Sequence, residues 1–396
     1  MSGEVKRFGR HRNAFGFLRL LFASLVIVSH VTELADGNRG RELLTRLFGT
    51  ITFGELAVDG FFIISGYLIV GSYLKRPGIM RYLRNRIARI YPGFVVASIV
   101  SLVIVAPLAG GDLHQVAAYY RPEFLRMLLL QSPVAAGTFP GQHHPDINGA
   151  TWTIAYEFRC YLLVLVLGSL GILRRGWVIP LLAAISLFLF EVVPSATFKQ
   201  LGGLAPLSDL WLGTPDQNLR LVGMFLAGAS FFLFRDMIQF KRSTFLVAIV
   251  FLAACLLVGK LSEPAVATLG GYIIFAMAAW GSSWPIGRIN NEVDISYGVY
   301  LYGWPTAQLL IRFWPSMPAV MDGLITLAVA VTCGWLSWWF VERPAMGIVR
   351  RSGGWARFRP NDRLRVDCFP DPLLEPLGRE HWLSSLRHRI TSPLQR

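Results

Sequence analysis

The strongest constraint on this chain is a recurrence: from Phe17 onward, apolar stretches long enough to approach the span of a bilayer follow one another with little interruption. A hydrocarbon core about 30 Å thick is crossed by about 20 helical residues rising about 1.5 Å each. Ten stretches stand out: Phe17–Glu33, Phe53–Tyr73, Gly93–Ala109, Trp152–Gly171, Val178–Val193, Leu219–Phe234, Thr244–Gly259, Ala265–Gly281, Ile295–Phe313 and Ala319–Val341. With 54% hydrophobic and only 16% charged residues, the chain has too little charge to clothe a water-facing surface. The expected fold is an all-α integral membrane protein, a polytopic bundle of about ten transmembrane helices over residues 1–345. Residues 346–396 turn polar and are punctuated by Pro360, Pro370, Pro372 and Pro376, the composition of a loosely ordered cytoplasmic tail.

The net charge of +14 raises nucleic acid as a partner. The basic residues are not gathered on one domain, however, nor interleaved with an RNA-binding aromatic motif, and nucleic acid is set aside. They fall in alternate loops instead: Lys75 to Arg89 after the second stretch, Arg174 and Arg175 after the fourth, Lys241 and Arg242 after the sixth. By the positive-inside rule those loops and both termini are cytoplasmic. Lys6, Arg7, Arg10 and Arg12 precede the first stretch, but no small-residue cleavage site follows Val31, so that stretch reads as a retained span. Cys160, Cys255, Cys333 and Cys368 are too scattered to suggest a disulfide or a metal site.

Ionisable residues inside apolar stretches are costly and mark function or pairing. Arg19 and His30, eleven residues apart, lie close to three helical turns and about 16 Å from each other on nearly the same face. A snorkelling arginine and an interfacial histidine would account for the two taken singly. The second stretch carries Asp59, then Ser65-Gly66 and Tyr67, where a small step permits close helix approach. Glu157, near the outer end of the fourth stretch, is expected at the depth of His30, and a carboxylate beside an imidazole fixes its tautomer for general-base work. Arg159 has Asp59 or the neighbours of Glu157 as possible partners. If the basic run after the second stretch is helical, Arg86 and Arg89 share a face suited to phosphate oxygens, from anionic lipid headgroups or from a phosphate-bearing substrate. The short apolar piece Met127–Ser132 reads as interfacial or re-entrant, and His143 and His144 beside Asp146 as solvated loop residues.

These motifs together resemble the acyltransferase-3 family of membrane proteins, which acylate bacterial surface glycans and related molecules. The likeness runs in order from Arg19 and His30, through Ala57 to Leu68, Arg86 to Pro92, Trp152 to Glu157 with Tyr161, and Ile295 to Tyr302, to Val341-Glu342-Arg343-Pro344. It departs at Gly303, where many members carry a histidine. The resemblance implies a multi-pass enzyme of the bacterial inner membrane that takes an acyl group, most simply acetyl, from cytoplasmic acyl-CoA to a hydroxyl of a carbohydrate or lipid-linked glycan. It implies His30 as general base, or as the carrier of an acyl-histidine intermediate, with Glu157 orienting it and Asp59 shaping the acceptor side. Arg19, Arg86, Arg89, Ser65 and Tyr67 fall to the donor, and no metal is called for. A pantetheine arm extends over a length on the order of the Arg19–His30 rise.

The rival class is a secondary transporter or glycan flippase, whose path the same Arg, His and Glu would line. Thioester consumption separates the two, since a transporter moves its substrate without covalent change. A membrane scaffold would leave Arg19, His30 and Glu157 without purpose.

Overall fold

The computed structural model describes residues 13–112, 114, 120–194, 196–198, 200 and 213–352. The basic residues before Phe17, Cys368 and the tail from residue 353 lie outside that set. Among the described residues the fold is helical throughout, with no strand. The long helices are α1 (Phe15–Asp36), α2 (Phe53–Lys75), α3 (Ile79–Val100), α4 (Trp152–Ser169), α5 (Val178–Val192), α6 (Pro215–Leu233), α7 (Arg242–Cys255), α8 (Gly259–Gly281), α9 (Ser296–Phe313) and α10 (Ala319–Ser337).

Six helical segments are long and apolar enough to cross a membrane: α1, α2, α3 extended to Leu108, α4 with the turn before it, α8, and α10 extended to Val349. The other expected spans are helical but do not meet that measure. α5 and α7 have 15 and 14 residues, α6 carries Asp216 and Arg220, and α9 is rich in tyrosine, with Pro305 and Gln308 inside it. The third helix also starts well before the expected Gly93. It takes in the whole basic run from Arg81 to Arg89, which the first aliphatic turns at Ile79 and Met80 lead into.

The ends of the helices follow local chemistry. α2 opens with a capping box, in which the Thr52 side chain accepts from the Glu55 backbone and Glu55 reaches back to Thr52. α1 closes on Gly37 at φ 71°, whose N–H donates to the Glu33 carbonyl. After α10 a π-helical turn, Trp338–Glu342, shifts the register and brings Glu342 to zero exposure before the chain resumes as α-helix.

Small residues set the closest crossings. A Cβ on Gly66 of α2 would lie 1.8 Å from the Phe225 carbonyl oxygen, and one on Gly228 of α6 would lie 1.8 Å from that of Ile63. These two helices therefore meet backbone to backbone, as the Ser65-Gly66 step suggests. α1 packs against α2, α9 and α10, so its polar face looks into protein rather than lipid. The piece Tyr120–Leu128 folds back along α3: the Leu128 carbonyl accepts from Tyr91, about 25 Å before the end of the extended helix at Leu108.

Candidate active site

The polar side chains that a lipid environment disfavours gather in separate groups along α1 and α2. At the Arg19 end, Asp294, two residues before α9, is the centre. Its Oδ2 lies 2.6 Å from Arg19 Nη1 and 2.6 Å from Arg89 Nη2. Its Oδ1 accepts from Ser296 Oγ at 2.6 Å and from Asn290 Nδ2 at 3.1 Å. Burial alone would push this carboxyl up, but the guanidiniums of Arg19 and Arg89 hold it well below the usual carboxylate range. Arg89 Nη1 reaches Glu342 Oε2 at 2.9 Å, so the residue that the π-helical turn rotates inward completes the network. Arg19 and Arg89 are thus engaged by internal carboxylates, at the positions the sequence assigned to a donor's phosphates.

Arg86 differs. Its guanidinium lies over the rings of Tyr82 and Tyr161, 6.0 Å and 5.7 Å from their centroids, and it pairs with no carboxylate among the described residues. Its buried Nε has no hydrogen-bond partner there. Tyr161 also donates to Glu157 Oε1 at 2.6 Å, and Ser65 Oγ donates to the same oxygen at 2.7 Å. Glu157 and Ser65 therefore group with Arg86. Tyr67 lies elsewhere: it is buried in an aromatic cluster with Phe15, Phe232 and Phe275 at 5.6, 5.3 and 4.9 Å, where it packs helices together.

At the opposite end of α1, the carboxylate beside His30 is Glu33 rather than Glu157. His30 Nδ1 lies 3.6 Å from Glu33 Oε2, one turn along the same helix. Glu33 Oε1 is 2.8 Å from Arg39 Nε and 3.5 Å from His144 Nε2. The His30 ring meets the indole of Trp304 edge-on at 4.7 Å. His144 is thus part of this cluster and not a solvated loop residue. At Gly303 the helices cross closely: a Cβ there would lie 2.7 Å from Ile27 Cγ1, so the α1 side chain occupies the space a larger residue would need.

Asp59 is fully buried, and its partner is Arg220 of α6 at 2.9 Å, with Glu263 of α8 3.1 Å from Arg220 Nε. Of the two partners open to Arg159 from the sequence, Asp59 or a neighbour of Glu157, it takes the second, lying over the ring of Tyr156 at 4.6 Å. Among the described residues no three His, Cys, Asp or Glu side chains gather as a metal site.

Sequence reasoning passed over Glu33, Asp294, Arg220 and Trp304, and read His144 as a solvated loop residue. Glu33 was within reach, because it stands three residues after His30 in the first apolar stretch, and so was Arg220, an arginine inside another. Asp294, Trp304 and His144 come together only through contacts distant in the chain.

Residues 12–339 match the family described as an acyltransferase domain. The chain belongs to the acyltransferase-3 family. It is an acyl-transferring enzyme. It is 28% identical to the O-acetyl transferase of Shigella phage Sf6 over 349 residues, which is 84% of this chain and 95% of that protein. It is 25% identical to nodulation protein 10 of Rhizobium leguminosarum bv. viciae, over 85% of this chain and 94% of the relative. It is 24% identical to acyltransferase MdmB of Streptomyces mycarofaciens, over 90% and 94%. No solved structure is significantly similar to it.

Proposed function

We propose that this acyltransferase is a multi-pass protein of the bacterial inner membrane with both termini cytoplasmic. It moves an acyl group, acetyl in the first instance, from cytoplasmic acyl-CoA to a hydroxyl of a carbohydrate or lipid-linked glycan at the outer face. All ten helices enter the membrane, the shorter ones within the bundle. The observation that carries the reading is the division of labour along α1: a closed ion network at Arg19 and an imidazole–carboxylate pair at His30, about 16 Å apart.

In this reading Glu33 holds the Nδ1–H tautomer of His30, so His30 Nε2 takes the proton of the acceptor hydroxyl. The hydroxyl oxygen attacks the thioester carbonyl, the new C–O bond forms, the C–S bond breaks, and the leaving thiolate recovers the proton from the imidazolium. Arg86, stacked on two tyrosines and free of any carboxylate among the described residues, supplies the cation for the donor's phosphates. Glu157 and Ser65 line the route between Arg86 and His30. Arg19 and Arg89 hold the frame, and Asp59 fixes α2 to α6 beneath the acceptor side through Arg220.

Membranes carrying the chain and given labelled acetyl-CoA should place the label in surface polysaccharide as an alkali-labile ester, with one thiol released per ester. His30→Ala should lower that rate by about 10²–10⁴-fold in a protein that still inserts. Undiminished turnover in that variant, or acceptor movement with the thioester intact, would overturn the reading. Mass spectrometry of polysaccharide from cells with and without the gene identifies acyl group and acceptor together.

A further inference from the structure

The mechanism just described leaves one histidine of the cluster unused. His144 lies in the loop between α3 and α4, yet its Nε2 stands 3.5 Å from Glu33 Oε1, while His30 Nδ1 stands 3.6 Å from Glu33 Oε2. One carboxylate, 7% exposed, is therefore shared by two imidazoles. The Trp304 indole meets both rings edge-on, at 4.7 Å for His30 and 5.9 Å for His144.

The loop is held there from α9. Gln308, at zero exposure, donates from Nε2 to the His144 carbonyl at 2.6 Å. Trp304 Nε1 donates to the Asp146 carbonyl at 2.9 Å, and Asn148 Nδ2 donates to the Leu301 carbonyl at 2.9 Å. A buried amide is costly unless it is bonded, and here its bond fixes the backbone of the residue that carries the imidazole. The adjacent His143 is exposed and packs on Gly37 instead, so the anchoring is particular to position 144.

Resting on the reading of His30 as general base, we propose that His144 is a positioning residue for acyl transfer. Its Nε2–H donates to Glu33 Oε1 and turns the carboxylate so that Oε2 holds the His30 Nδ1–H, which leaves His30 Nε2 facing the acceptor hydroxyl. The alternative anchor, Arg39, is 57% exposed, and a solvated guanidinium on a long side chain orients a carboxylate weakly. The two His–Glu distances lie just beyond a good hydrogen bond, the state in which catalytic contacts often stand before substrate closes the site.

The test compares initial rates of acyl transfer by the full chain in membranes, with acetyl-CoA as donor and the surface polysaccharide of the expressing cell as acceptor. His144→Phe keeps a planar ring without the donor, and His144→Gln restores an N–H near the Nε2 position. The expected result is a fall in kcat of about tenfold for His144→Phe with the acetyl-CoA KM within about twofold, recovery to within about threefold for His144→Gln, and no change for His143→Ala. Wild-type kcat in His144→Phe overturns the proposal. So does a His144→Gln variant as slow as His144→Phe, because a glutamine can orient a carboxylate but can neither carry a proton through the cycle nor hold an acyl group. If His144→Phe fails to insert, Gln308→Leu releases the same loop without touching the imidazole and must lose kcat in its place; wild-type kcat there overturns the proposal equally. His30→Ala keeps the two readings apart. An active His30→Ala sinks the general base and this inference with it, whereas an inactive His30→Ala beside a fully active His144→Phe sinks this inference alone.

Discussion

The two ends of α1 solve opposite problems with the same kinds of side chain. Around Arg19, the charged groups meet at 2.6–2.9 Å, and both Asp294 oxygens are bonded. Around His30 the imidazole contacts to Glu33 are 3.5–3.6 Å, and His30 Nδ1 is a buried nitrogen without a hydrogen-bond partner among the described residues. The first arrangement joins α1, α3, α9 and the extension of α10 into one frame. The second leaves an imidazole loosely held, an arrangement compatible with the general base proposed for it. Buried charges cost several kcal/mol each unless well paired, so the closed network tolerates little change, while the looser cluster can be altered with small structural consequence.

The largest expected effect comes from breaking the closed end. Asp294→Ala leaves the guanidiniums of Arg19 and Arg89 facing each other without their shared anion, and should destabilise the bundle by about 3–5 kcal/mol. Thermal unfolding in detergent checks this, and a variant with unchanged melting temperature would remove the distinction between the two ends. The pH dependence has a fixed sign. Because the folded Asp294 carboxyl is held below its unfolded value, its contribution is present above the unfolded pKa of about 3.9 and is lost as pH falls toward the folded value. Acid should therefore weaken the wild type more than it weakens Asp294→Asn.

The open end should respond in rate and not in stability. Glu33→Gln keeps size and hydrogen bonding but removes the charge that stabilises the His30 imidazolium, and kcat should fall about 10–100-fold with a melting temperature near that of the wild type. A comparable loss in Glu157→Gln, with none in Glu33→Gln, would return the orienting role to α4. Between these cases lies Gly303→Ala, where the added methyl meets Ile27. Overpacking of this kind costs about 1–3 kcal/mol, and Ile27→Ala should relieve it in the double variant, as a melting series would show.

The contrast between the ends also explains what could be read before folding. Helical class and the positions of the long helices follow from apolar runs, and Arg19, His30, Asp59 and Glu157 announce themselves as charges or imidazole in lipid-compatible sequence. Pairing does not. Depth along a helix placed Glu157 level with His30, but depth is one coordinate. Which carboxylate an imidazole meets also depends on rotation about the helix, which Glu33 satisfies automatically at three residues' distance. Asp294 lies in a polar loop that carries no topological signal, and Glu342 faces Arg89 only because a π-helical turn intervenes, a feature that no periodicity reveals. The eleven-residue spacing of Arg19 and His30 set their separation along the helix and left their surroundings open.

The smallest expected effect tests the contrast most finely. Arg39 makes the shortest contact to Glu33, 2.8 Å, and by distance alone it would be the group that orients the carboxylate. Its side chain is 57% exposed, however, and exposed ion pairs contribute about 0–1 kcal/mol because water and salt screen them and a long side chain loses entropy to hold the geometry. Arg39→Ala should therefore change kcat by no more than about threefold, with the difference shrinking further as salt is raised. If it instead matches Glu33→Gln in size, the short contact governs the carboxylate, the outer cluster is as tightly set as the inner one, and the imidazoles follow a guanidinium held in place by something beyond solvent.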